Sequence, residues 1–339
     1  MEYLCGMKWV LSICLAAFLA DSAVTRPSGS TVASSPGDTL AVLFWNLENF
    51  FDYRNDSTTV AGAEFSSRGE RRWTRKRFQA KCNAVAKGIL WAGSQEGRLP
   101  DVIGVAEVEN AFVLRRLLQS TALHKLDYRI VHFDSPDPRG IDVALMYRAG
   151  RLTLTEAKPC HLYADSAVLR TRDILLAQFR RPGGEPIAFL VNHHPSKYGG
   201  AQVSDTRRRV AVERLRYLAD SLLAAGVEQV VAMGDFNDTP ANPLYQELPL
   251  ENLGEPLQRS GIGSIKFQGR WELIDLFFVS PALGKPPMKV LEIPFLQVRD
   301  RSFAGTKPLR TYSGPRYLGG VSDHCPIWLT LISRVEATN

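Results

Sequence analysis

Short apolar runs recur along most of this chain, each one stopping at a polar or charged cluster. Those at Leu40–Trp45, Val102–Val105, Val143–Tyr147, Ile187–Val191, Val230–Met233, Ile274–Val279 and Ile327–Leu331 have the length of buried strands. Between them, Arg75–Leu90, Ala111–Leu118 and Asp205–Ala225 predict helices. In the last of these, Val210, Val212, Leu215, Leu218, Leu222 and Leu223 form an apolar face. Arg207, Arg208, Arg209, Glu213, Arg214 and Arg216 are left for wetter faces. Strands mixed with helices in one chain predict an α/β architecture.

The N-terminus departs from this pattern. Lys8 precedes an unpatterned apolar run from Trp9 to Ala20, and the small residues Ser22 and Ala23 follow. That predicts a secretory signal over residues 1–22, too short to span a membrane comfortably, with Met7 an alternative start. The protein is then expected outside the cytoplasm, secreted or periplasmic. Ile13 stands before Cys14 where a lipoprotein needs a small residue, so lipid anchoring is not expected. Residues 23–38 are rich in Ser, Pro and Gly and read as a flexible linker. No repeat, second linker or change of composition divides residues 39–333, which are taken as one domain.

Composition and charge narrow the partners. Of 339 residues 45% are hydrophobic, enough for a substantial core and against global disorder. Taking Lys8, Glu2 and Asp21 from 41 basic and 35 acidic residues leaves 40 against 33, a net charge that suits a phosphorylated or polyanionic substrate without demanding one. Cys82, Cys160 and Cys325 remain after the leader. Their odd number leaves room for one disulfide, and no spacing suggests zinc. No stable protein partner is implied, and a monomer is expected.

Chemistry-bearing residues gather where the apolar runs stop. In GDFN, Gly234 would let the chain turn at the end of Val230–Met233, and Asp235 and Asn237, two apart, can project from one side of an extended segment. In SDHCPIWLTL, Asp323 and His324 open an apolar run. Asn46 and Glu48 follow the first strand. Glu107 ends VIGVAEVEN in an apolar frame, where a carboxylate is costly unless it meets solvent or a cation. Of the adjacent His193 and His194, at most one can face a site, because neighbouring strand residues point to opposite sides. Asp275 lies inside an apolar run and needs a cation or an imidazole, for which His324 is the natural partner. A carboxylate with an amide at one strand end, and a carboxylate with a histidine at another, is what metal-assisted attack on a phosphate ester requires.

The motifs NLE, AEVE, NHH, GDFN, LID and SDH, in this order from about residue 40 to 331, resemble those of the endonuclease/exonuclease/phosphatase superfamily. The resemblance implies a DNase I-like four-layer α/β sandwich, two packed mixed sheets with helices outside. It implies Mg2+ as cofactor, with Mn2+ or Ca2+ as alternatives, bound mainly at Glu107 with Glu48, Asn46 and Asp323 associated. His193 would contact phosphate, and Asp235 and Asn237 would orient or activate the attacking water. Asp275 would hold His324, which stabilises the phosphorane-like oxygens.

Substrate class stays open at this level. Arg139 could reach a phosphate from its loop, Ser196 lies just beyond the paired histidines, and Trp271 could stack on a base or sugar as readily as pack in a core. The runs 68–77 and 206–209 would suit a nucleic-acid backbone, although basic runs are usually solvated faces. The leading expectation is an exported nuclease acting on DNA or RNA. A phosphatase or phosphodiesterase for small or lipid phosphoesters, sphingomyelinase-like, is the alternative. An inactive polyanion-binding module is the non-enzyme reading.

Overall fold

The computed structural model describes residues 39–54, 59–164, 166–196 and 201–332. The expected leader and linker, residues 1–38, lie outside the described residues. Twelve strands make the two main sheets: β1 (Thr39–Phe50), β2 (Val102–Val108), β3 (Tyr128–His132), β4 (Asp142–Arg148), β5 (Thr153–Cys160), β6 (Ile174–Arg180), β7 (Pro186–His193), β8 (Gln229–Asp235), β9 (Glu251–Asn252), β10 (Asp275–Val279), β11 (Met288–Val290) and β12 (Ile327–Ile332). The longest helices are α1 (Arg75–Gln95), α2 (Ala111–Gln119) and α3 (Ala201–Ala224). The first sheet has the order β11-β12-β1-β2-β4-β3 and the second β9-β10-β8-β7-β6-β5. Each is mixed, with one parallel pair at its centre: β1 with β2, and β7 with β8.

Side-chain alternation along β1 explains the layering. Leu40, Val42 and Phe44 belong to a core shared with the second sheet and α3, whereas Ala41, Leu43 and Trp45 belong to one shared with α1 and α2. A strand buried on both faces reads as a continuous apolar run, which is what the sequence has there. The architecture is therefore the expected sandwich of two face-to-face sheets between helical layers. The sheets approach closely at Gly104, where an added Cβ would lie 2.8 Å from Met233 Cε. Thr74 and Asn110 start α1 and α2, their side chains accepting from the backbone N–H groups of Arg77 and Val113.

Several local expectations change. The strand β1 does not end at Asn46 but continues to Phe50, with its pairing to β2 shifting register between those residues. Gly234 is not a turn; it lies inside β8, and only a residue without a Cβ fits, because that atom would sit 2.3 Å from the Asn192 carbonyl oxygen. Arg208 is buried rather than wet, paired with Asp205 and, at 3.3 Å, with Asp238. The strands β3, β5, β6, β9 and β11 add to the expected set. Half of β5 is exposed and polar because it is an edge strand, so it lacks the apolar signal. Cys82, Cys160 and Cys325 are all buried free thiols, with no disulfide among them.

Candidate active site

Both central parallel pairs end at the same place. In the second sheet Asp235 pairs in register with His193 on one side and with Asp275 on the other, so three polar residues stand in one row across β7, β8 and β10. In the first sheet Asn46 continues the inward row of Phe44, and Glu107 sits at the irregularity between Ala106 and Val108 of β2. Polar groups on strand ends of facing sheets thereby meet across the sandwich. The Asn46 amide donates to Asp235 Oδ2 at 3.0 Å.

The distances define one cluster. His193 Nε2 stands 3.8 Å from Glu107 Oε1 and 3.7 Å from Asp235 Oδ2. His324 Nε2 stands 3.8 Å from the same Asp235 oxygen, while its Nδ1 is bonded to Asp275 Oδ2 at 2.7 Å. The Asp235 carboxylate also accepts the Asn237 backbone N–H on Oδ1 at 2.9 Å. The Asn237 side chain donates to the His194 carbonyl at 2.9 Å, as does Arg172, which in turn pairs with Asp137. Asn237 therefore does not extend the strand beside Asp235. It adopts φ 51° and folds back, held by these two bonds.

Backbone strain concentrates here. Among the described residues, Glu48, Asn49, Glu107 and Asn237 all have positive φ, at 46°, 51°, 60° and 51°. For residues other than glycine this costs on the order of 1–3 kcal/mol each, and it persists only where surrounding bonds enforce it. Those bonds are present. Asn49 N–H donates to Glu107 Oε2 at 2.8 Å, and Glu48 N–H to Asn46 Oδ1 at 2.9 Å. Arg139 reaches in from its loop, donating to Asn49 Oδ1 at 2.8 Å and lying 3.7 Å from Glu107.

A second layer sits beneath Glu48. Arg310 donates to Glu48 Oε1 at 2.7 Å and lies 3.3 Å from Asp323, and the Thr311 N–H reaches Glu48 Oε2 at 3.2 Å. Lys81, only 1% exposed on α1, donates to the Glu48 carbonyl and to Thr311 Oγ1. Ser322 and Ser264 fix the backbone around the last histidine: Ser322 Oγ donates to Asn46 O and accepts from His324 N–H, and Ser264 Oγ accepts from Asp275 N–H. Ser322 belongs to the SDH motif, whereas Arg310, Lys81, Arg172 and Ser264 carry no sequence signal, because each comes from a segment outside the motifs.

Electrostatics follow from burial and crowding. Burial, reinforced by Asp275, pushes the Asp235 carboxyl up to about 7 despite the pull of His324. Burial and the nearby Asp323 charge push Glu48 to about 7 against the pull of Arg310 and Lys81. Burial by itself would lower the His324 value. The Asp275 and Asp235 carboxylates outweigh it and hold His324 well above the usual imidazole range. Burial, with Arg172 and Arg139 adding repulsion, keeps His193 well below that range. The two imidazoles are thus driven apart, one towards the charged and one towards the neutral form.

The donor set fits a hard divalent cation. It consists of carboxylate and amide oxygens with imidazole and no sulfur, and its carboxylates carry more charge than burial tolerates without a counterion. Ligand atoms of Asp235, Asp275 and His324 lie within 4.8 Å of one another. Yet Asp275 Oδ2 is spent on His324, so this trio reads better as an imidazole oriented by one carboxylate and facing another than as a metal cage. Asp275 Oδ1 and His193 Nδ1 are buried without a hydrogen-bond partner among the described residues.

Not every expected residue joins the cluster. Ser196 is exposed beyond the end of β7. Trp271 is half-buried on the hairpin of Ile265–Phe267 and Arg270–Glu272, which bridges to His324 through Ile265. Among the described residues neither makes a hydrogen bond to the cluster.

No curated protein matches the sequence. Solved structures do. An endonuclease/exonuclease/phosphatase family protein from Bacteroides thetaiotaomicron is 16% identical with TM-score 0.56, covering 88% of this chain and 98% of its own. The human Nocturnin catalytic domain with bound sulfate anion is 17% identical with TM-score 0.55, covering 87% and 94%. The Bacteroides thetaiotaomicron mannosyl-6-phosphatase is 15% identical with TM-score 0.56, covering 86% and 99%. At these identities the likeness establishes the fold. A family model described as Endonuclease/Exonuclease/phosphatase matches residues 41–333, nearly all of the folded part and every strand-end motif, and the chain belongs to that family of phosphoester hydrolases.

Proposed function

We propose that this chain is an exported, divalent-metal-dependent phosphoesterase that acts on DNA or RNA as a nuclease. One observation carries the catalytic reading: Glu107, His193 and His324 all face Asp235 or its neighbour within 4 Å, while Asp275 fixes the far nitrogen of His324. Glu107 would hold the ion; when bound, the ion neutralises charge on a phosphoryl oxygen.

The chain's own groups do the rest. Asp235, braced by Asn46 and Asn237, orients a water for in-line attack. As the water oxygen bonds to phosphorus, its proton passes to Asp235, and the opposite P–O ester bond breaks with its electron pair leaving on the ester oxygen. His324 keeps Nε2 directed at the developing charge because Nδ1 is engaged by Asp275. His193 donates a further hydrogen bond, and Arg139 guides the phosphate. The run 68–77 supports a polyanionic substrate, since Arg71 lines a cavity of about 150 Å³ together with Glu48, Asn49 and Arg310. Run 206–209 gives less support, because Arg208 is buried. Export is read from the apolar run Trp9–Ala20.

The second reading is a phosphatase for small phosphoesters. It is favoured by the mannosyl-6-phosphatase, which shares the fold over 86% of this chain. Purified protein is incubated with plasmid, RNA, bis-p-nitrophenyl phosphate and sphingomyelin, with Mg2+ and with EDTA. Metal-dependent cleavage of nucleic acid that weakens steeply with salt is expected. Turnover of a small ester alone would favour the second reading, and no EDTA-sensitive turnover on any of them would overturn both.

A further inference from the structure

We propose that Arg310 is a built-in cation that takes, between Glu48 and Asp323, the place of a second divalent ion. The inference rests on the hydrolase reading and deepens it by fixing how many ions the site accepts. A single guanidinium spans two carboxylates from distant segments: its Nε is 2.7 Å from Glu48 Oε1 and an Nη is 3.3 Å from Asp323 Oδ2. The other Glu48 oxygen is taken by the Thr311 N–H at 3.2 Å. Asn46 is engaged as well, accepting from Glu48 N–H and donating to Asp235. Glu48, Asn46 and Asp323 are therefore engaged by other parts of the chain, whereas Glu107, whose Oε2 accepts from Asn49 N–H, turns its other oxygen towards His193.

Arg310 is also held in place. Its neighbour Thr311 is fastened by Lys81 through Thr311 Oγ1 at 2.8 Å, and the same buried ammonium donates to the Glu48 carbonyl at 2.6 Å. Thr311 Oγ1 further contacts the Gly320 and Val321 carbonyls. A magnesium-sized ion needs its oxygens at about 2.0–2.1 Å, so an ion and the guanidinium exclude each other between these carboxylates. Hydrolases with two ions keep them about 3.5–4 Å apart as paired positive charges. An arginine at the second position supplies a permanent charge that neither pH nor metal supply removes.

Counting ions tests this without relying on activity. The full chain, stripped with EDTA, is dialysed to equilibrium against Mn2+ alone. The expected result is one ion per chain in the wild type, one in Arg310→Lys and two in Arg310→Ala, where Glu48 and Asp323 are released to bind. Two ions in the wild type would overturn the proposal, as would a single ion in Arg310→Ala whose circular dichroism matches the wild type. Should Arg310→Ala not fold, Arg310→Gln keeps the stem and a donor without the charge, and the same count is read from it. A wild type that binds one Mn2+ yet turns over no phosphoester would defeat the hydrolase reading while the ion count stood.

Discussion

His324 shows how much one residue's role depends on partners that its sequence neighbourhood does not contain. Its Nδ1 bond to Asp275 at 2.7 Å sets the ring's orientation, and Asp275 and Asp235 together hold it well above the normal imidazole pKa even though burial opposes this. His324→Gln is expected to lower kcat by about 10²–10⁴-fold, the range for a preorganised donor or acid–base group. Asp275→Asn, which alters only the supporting bond, should cost about 10–100-fold. Steady-state kinetics on the best phosphoester substrate compare the two; equal losses would mean that Asp275 does more than orient. His194 points the other way, packed against Phe236 at 4.7 Å and pushed by burial to about 3. The unfolded chain takes up a proton there below about 6.5 while the folded chain does not. Its stability contribution is full above that pH and is lost as pH falls towards 3. Urea midpoints at about pH 7.5 and about pH 5 should differ less in His194→Gln than in the wild type.

At the scale of elements, the two central parallel pairs bring the chemistry to one end of the sandwich, and small residues let them pack. Gly234 has backbone in the way of any side chain, because a Cβ there would meet the Asn192 carbonyl oxygen at 2.3 Å. Gly104 faces the flexible end of Met233, at 2.8 Å, which can turn aside. Gly234→Ala should therefore destabilise by about 1–3 kcal/mol or more, and Gly104→Ala by less, read as urea midpoints at equal m-value. Gly234→Ala should also reduce activity, because its shift moves the His193–Asp235–Asp275 row. Comparable midpoints for both variants would contradict this reading of the β7–β8 contact.

At the scale of the whole molecule, two hydrophobic cores flank the first sheet, and the cysteines report on them. Cys82 and Cys325 are at most 2% exposed, and burial pushes both thiols up to about 12. Cys160 is raised by burial as well. All three should resist iodoacetamide at about pH 8 in the native protein and react in urea, as counted by mass spectrometry. Rapid labelling of the native protein would mean that local opening exposes these cores. The unfolded chain ionises its thiols first as pH rises beyond about 9, so stability should fall between that pH and about 12.

Much of this was legible in the chain itself. Apolar runs ending in Asn46, Glu107, His193 and Asp235 specified strands with chemistry at their ends, because a strand's period and a buried carboxylate's cost are local facts. The order of the motifs specified the family. What the local pattern could not specify was anything that depends on which strands become neighbours: the register that aligns His193, Asp235 and Asp275, the edge strand β5, the burial of Arg208, and the bridge that Arg310 makes across 262 residues to Glu48. A polar residue on a loop carries no mark of its partner. Only the closing of two sheets over a shared core decides which charges must neutralise one another, and that decision belongs to the tertiary structure.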